Sequence, residues 1–170
     1  MKSAAINTLS YTGIVTLSQY RGNKKIPIKQ FKNSGGNSLF NFLANCFLGD
    51  FNTASAELPT KIMLLKTERD KDGNYGSIES VSGFYSLFTK PERLFTDSGV
   101  CSSTICYSFV IPADIIENTT FNSIGLYANM AAESDKENFA AICELGNISE
   151  TWSSSSVLVI DWRLTITNNS

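Results

Sequence analysis

Apolar positions along this chain recur mostly at every second residue, the spacing of a strand with one buried face. Residues 11–19 (YTGIVTLSQ) place Tyr11, Val15 and Leu17 on one side and Ile14 on the other, and β-branched and aromatic residues favour a strand there. A turn-like triplet, Arg21-Gly22-Asn23, leads into KKIPIKQFK, where Pro27 interrupts Ile26, Ile28 and Phe31. Proline has no N–H to give a ladder, so this segment is expected to be an edge strand or an extended arm. The spacing turns helical in one place, NSGGNSLFNFLANCFLGD, where Leu39, Leu43, Cys46 and Phe47 recur at i, i+4, i+7 and i+8. Asn37 or Ser38 can cap this helix and Gly49 can stop it. Phe40, Phe42, Leu48 and the following Phe51 spread apolar surface beyond one stripe, so the helix must lie against a sheet or another subunit.

From Pro59 the pattern returns to strands. Residues 61–66 (KIMLLK) form a nearly continuous apolar run, as expected where both faces are covered, and ERDKDGNYG reads as the following turn, built on Asp72-Gly73 or Gly73-Asn74. Residues 81–88, 101–111, 121–129, 139–145 and 157–167 complete the set. In residues 101–111 Ile105, Tyr107, Phe109 and Ile111 align before Pro112 ends the strand; at the end Leu158, Ile160, Trp162, Leu164 and Ile166 share a face. About seven strands and one early α-helix predict a mainly β chain: a single antiparallel β-sandwich domain over residues 1–170, not a βαβ sheet. Polar stretches at 67–77, 132–138 and 149–156 are expected to be exposed loops.

Composition supports a folded core, because 42% of residues are hydrophobic and only 18% charged. A formal charge of −2 argues against nucleic acid, and the lysines and arginines gathered at residues 21–32 read as a solvated strand edge, where lysine discourages stray pairing. No stretch approaches the roughly 20 apolar residues that cross a bilayer, and the first residues lack a secretory apolar run, so no membrane partner and synthesis in a cytoplasm are expected. Cys46, Cys101, Cys106 and Cys143 form no CxxC pair; reduced, partly buried thiols are expected, with a Cys101–Cys106 bridge open if a hairpin sets them opposite each other.

The chain has no histidine, which removes Ser-His-Asp and Cys-His arrangements and most zinc sites. Acid pairs such as Asp114 with Glu117 or Glu144 with Asp161 are formally available to glycoside chemistry, but any chain with 16 acids offers such pairs. Alternation puts Asp161 on the face opposite Trp162, where a solvated outer-face acid is the favoured reading, with Arg163 directed to the core side or to a neighbour. Asp70 to Asn74 resembles a calcium loop only until its sixth position, Tyr75, and its twelfth, Val81. Gly35-Gly36 precede a helix without the GK[ST] of a phosphate loop. The expectation is therefore no enzyme, no catalytic or metal residues, no cofactor and no small-molecule substrate.

FVIPADIIENTTFNSIGLYA, followed by AAICELG, ISET and the closing VLVIDWRLTIT, resembles a pattern of bacteriophage virion proteins, among them tail-fibre, collar and related attachment proteins. There an "ipa" turn leads to "(E)iGLy", a strand, a short loop and a last "l.v.W.iti" strand; YTGIVTL, the helical segment and PTKIMLL also look like the opening of such domains. The resemblance covers about two thirds of the chain, and Ser123 stands where many of those sequences carry Glu. It implies a virion component at the tail, neck or collar, or capsid surface, assembled in the bacterial host cytoplasm and bound to other copies of itself and other virion proteins. Contact candidates are Leu39, Phe40, Phe42 and Phe47 on the helix and Lys24, Lys25 and Ile28 on the edge arm. A carbohydrate- or receptor-binding sandwich is the alternative; it requires Tyr75, Tyr85 or Trp152 to converge as solvent-facing platforms.

Overall fold

The computed structural model describes residues 8–21, 23–35, 37–94, 102–112, 120–146 and 157–169. They are mainly β, in two antiparallel sheets that share one strand. The chain opens with a long hairpin, β1 (Thr8–Arg21) and β2 (Lys24–Gly35), then two helices, α1 (Asn37–Leu48) and α2 (Phe51–Glu57). There follow β3 (Pro59–Arg69), β4 (Tyr75–Ser80), β5 (Tyr85–Ser86), β6 (Glu92–Leu94), β7 (Ser102–Ile111), β8 (Ser123–Ala128), β9 (Ala141–Glu144) and β10 (Leu158–Asn169). Sheet A runs β2-β1-β10-β7-β6 and sheet B runs β4-β3-β8-β9, with β5 also beside β3.

Two chain segments close the sides of the sandwich. On one side β2 pairs with β1 in sheet A from Lys24 to Asn33, and its last residues, Ser34 and Gly35, pair with Ile142 and Ala141 of β9 in sheet B. A strand that bends from one sheet into the other is a recognised corner of packed sheets. On the other side successive residues divide between the sheets: the Leu87 N–H donates to the Thr60 carbonyl of β3, and the Phe88 N–H to the Ser108 carbonyl of β7. Most of residues 81–88, expected as a strand, is thus a crossover with only Tyr85–Ser86 in a ladder. The local reason is that the Leu64 N–H and carbonyl on the edge of β3 are taken by the Ser82 hydroxyl and the Val81 N–H.

The alternation read from sequence matches the burial. Val15, Leu17, Tyr107, Phe109, Ile160 and Trp162 of sheet A pack onto Ile62, Leu64, Ile124, Leu126 and Cys143 of sheet B. The run at residues 61–66 is continuous because β3 is covered twice: Ile62 and Leu64 face the main core, and Met63 and Leu65 join Tyr127 and Ile142 in a second cluster under Phe84 and Phe139. Each such side chain stabilises the fold by roughly 1.5–3 kcal/mol through its burial.

Helix α1 lies where its spacing placed it and ends at Gly49, whose φ of 74° is the left-handed conformation that glycine adopts without strain. Leu39, Phe42 and Leu43 pack on the main core. The second helix was not expected from the sequence; its signal is Asp50, whose carboxylate accepts the Thr53 N–H as an N-cap. Asn45 of α1 donates to Glu57 of α2 at 2.8 Å, which ties the pair together. No helix of the described residues is long and apolar enough to cross a membrane.

Candidate functional site

The outer face of sheet A would be water-facing and polar in a simple sandwich. Here it carries a cleft of about 520 Å³. The floor comes from alternate residues of the central strands, Ser108 and Val110 of β7 and Val159 of β10, which the register sets side by side. One wall is the β1–β2 hairpin, contributing Tyr20 and Lys25, which face each other across the ladder. The other wall is the crossover, contributing Phe88, Thr89 and Glu92. Tyr20 is 43% exposed and Phe88 70% exposed, so two aromatic side chains stand at the rim of an apolar floor.

A polar group is buried under this face. Asp161, only 8% exposed, accepts a hydrogen bond from the Ser108 hydroxyl at 2.8 Å and pairs with the Lys25 ammonium at 2.5 Å. Lys25 reaches it from two strands away, over the small Ser18 of β1. Thr16 beside it takes a hydrogen bond from Gln30 at 3.2 Å. Asp161 does lie opposite Trp162, as alternation requires, but it is not solvated: a lysine and a serine replace its water. Arg163 shares the outer face with Asp161 and is exposed, so it does not point to the core side. The Cys106 thiol, also in the cleft lining, is pushed up by burial first and by the Asp161 carboxylate second, against a smaller opposing pull from Arg163. It stays protonated, which makes it a poor nucleophile.

The contact candidates read from sequence do not form one surface. Leu39 is 3% exposed inside the chain's own core, so it is not a surface anchor, and Phe42 is half-buried against that core. The side chains of Phe40 and Phe47 lie outside the described residues. Lys24 is exposed on β2, and Lys25 is engaged by Asp161. Ile28 is the extra residue of a bulge, because Leu17 pairs with Lys29 and Ser18 with Pro27; the bulge accommodates the proline on a border strand. The residues that sequence reasoning missed are Tyr20 and Phe88; their exposure follows from hairpin register and crossover path, which leave no mark in the pattern.

Other suggestions separate likewise. Glu144 pairs with Arg69 on sheet B while Asp161 pairs with Lys25 on sheet A, so the two acids do not face one another. Asp114, Glu117, Cys101 and Trp152 lie outside the described residues, and Cys106 is a free thiol. Tyr75 packs edge-on against Phe139 under the Arg69 guanidinium, and Tyr85 packs on the main core, so these two do not converge as a sugar platform. Asp70 caps its own turn by accepting from the Asp72 and Asn74 N–H groups, with Gly73 at a φ of 84°. Ser123 is buried against Thr67, its hydroxyl 2.6 Å from that of Thr67, and its register partner is Glu144. Among the described residues no group of three or more acids and cysteines is placed to hold a metal. Comparison with protein-family models, curated proteins and solved structures yields no match.

Proposed function

We propose that the chain is a structural subunit of a bacteriophage virion, joined to its neighbours at the tail, neck or collar, or capsid surface through protein–protein contacts. The observation that carries the assembly part is the apolar cleft on the outer face of sheet A, with Tyr20 and Phe88 exposed on its walls. Exposed aromatics around a concave apolar floor are the usual anchors of protein interfaces, and they are costly to leave wet. The virion part rests on the resemblance of FVIPADIIENTTFNSIGLYA and the closing VLVIDWRLTIT strand to phage structural proteins.

The test is immunodetection of the chain in density-gradient-purified particles from the source that encodes it, with light scattering of the isolated protein alongside. Co-sedimentation with particles and a defined mass above one chain are expected. Absence from particles would sink the virion reading.

A second reading uses the same cleft for a carbohydrate or receptor group. What favours it is the placement of Tyr20 beside Lys25 and Ser108, an aromatic face next to hydrogen-bonding groups. Saturable glycan binding that is lost in Tyr20→Ala, by a chain absent from particles, would replace the first reading with the second.

A further inference from the structure

We infer that the cleft on sheet A is the contact face of a two-fold homodimer, in which Phe88 of each copy enters the cleft of the other. The inference rests on the assembly reading above and names its first partner, a second copy of this chain. Its basis is that the cleft is complementary to itself. The hairpin wall carries an aromatic and a cation, Tyr20 and Lys25; the crossover wall carries an aromatic and an anion, Phe88 and Glu92. A two-fold axis running along the cleft sets the hairpin wall of one copy against the crossover wall of the other. Both pairings then form twice, as an isologous contact requires.

Shape points the same way. Phe88 is 70% exposed and stands at the mouth of the cleft, where entry into the cleft of a second copy would take it out of water. The apolar floor of Val110 and Val159 supplies a surface of matching chemistry in the second copy. The charges also remain available. The Lys25 ammonium has three donors and Asp161 engages one of them, while Glu92 lies exposed on the facing wall. Lys25 can therefore meet the partner's carboxylate without releasing Asp161.

The experiment is light scattering and sedimentation of the intact chain over a range of concentrations. It compares wild type, Phe88→Asp, Glu92→Lys and, as a control at an exposed apolar residue outside the cleft lining, Leu48→Asp. Circular dichroism checks that each variant is folded. Wild type and Leu48→Asp are expected at twice the chain mass. Phe88→Asp should raise the dissociation constant at least about tenfold, as loss of an interfacial aromatic anchor does. Glu92→Lys, a change at an exposed side chain, should weaken the dimer in the same direction and serves if Phe88→Asp fails to fold. A monomeric wild type overturns the inference; so does a dimer that Phe88→Asp and Glu92→Lys leave intact, or one that Leu48→Asp disrupts equally. A chain found in particles that dimerises without Phe88 loses this face but keeps the virion reading, and a Phe88-dependent dimer absent from particles does the reverse.

Discussion

Replacing Lys25 by Ala removes the cation from Asp161 and leaves a carboxylate that is nearly buried with Ser108 as its hydrogen-bond donor. Breaking a fully buried pair in this way costs about 3–5 kcal/mol, whereas an exposed pair contributes about 0.2–1 kcal/mol. The side chains here are 35% and 12% exposed, so the lysine is partly solvated and the acid is not. The expected loss is between the limits, about 2 kcal/mol. Lys25→Met keeps most of the stem that lies over β1 and isolates the charge from the packing. A cycle of Lys25→Met, Asp161→Asn and the double variant, followed by urea unfolding at neutral pH, should give a coupling of about 1–2 kcal/mol, as for residues in one network. A Lys25→Ala protein within about 0.5 kcal/mol of wild type, the range of neutral surface changes, with no coupling in the cycle, would refute the claim that Lys25 takes the place of water at the Asp161 carboxylate.

Gly13 has the Asn33 side chain lying directly over its Cα, so that an added Cβ would sit 1.5 Å from Asn33 Oδ1, and Asn33 is held there by its hydrogen bond to the Tyr11 hydroxyl at 2.7 Å. Gly13→Ala should cost about 1–3 kcal/mol in a thermal melt, as overpacking does, with partial recovery in Gly13→Ala/Asn33→Ala. Burial pushes the Cys143 thiol up from 9.0 to about 12 and the Tyr11 and Tyr107 hydroxyls up from 10.0 to about 12. The unfolded chain releases these protons first, so stability is full below pH 9 and falls as pH rises toward 12, by about 1.4 kcal/mol per pH unit for Cys143 above 9.0 and for each tyrosine above 10.0. Urea midpoints from pH 7 to 10.5 should show the decline, with a later onset in Cys143→Ala. Leu39→Ala should destabilise by about 2–5 kcal/mol and Leu48→Ala by less than about 0.5 kcal/mol in the same unfolding assay, because one is core and the other is 80% exposed.

The strands that were legible are those whose burial differs between their two faces. In β7 and β10 the period-two pattern names the inward residues from Ile105 to Ile111 and from Leu158 to Ile166, because water on one side and core on the other select opposite residue types. β4 and β6 are short border strands without that contrast, and they were missed for that reason. Residues 81–88 misled in the opposite sense, since their apolar side chains serve a crossover that touches both sheets. Helix α2 is short and carries its evidence in a single cap at Asp50, which any turn could also use.

The cleft was illegible for a different reason: alternation assigns a residue to a face but says nothing of what lies over that face. Asp161 was placed correctly on the outside of β10, and the step from outside to solvated was the error. Lys25 is 136 positions away in the chain and reaches Asp161 only because β1 lies between their strands and offers small side chains there. The same geometry explains why the helix misled. Leu39 reads as a contact candidate, and Phe42 as apolar surface beyond the helix's stripe, only while the sheets beneath them are unplaced. Phe88, one aromatic in an ordinary VSGFYSLF run, gives no sign that a crossover will hold it outward. Surface chemistry of this kind is a property of register and connection, so in a sandwich the residues most exposed to partners are those the periodic pattern constrains least.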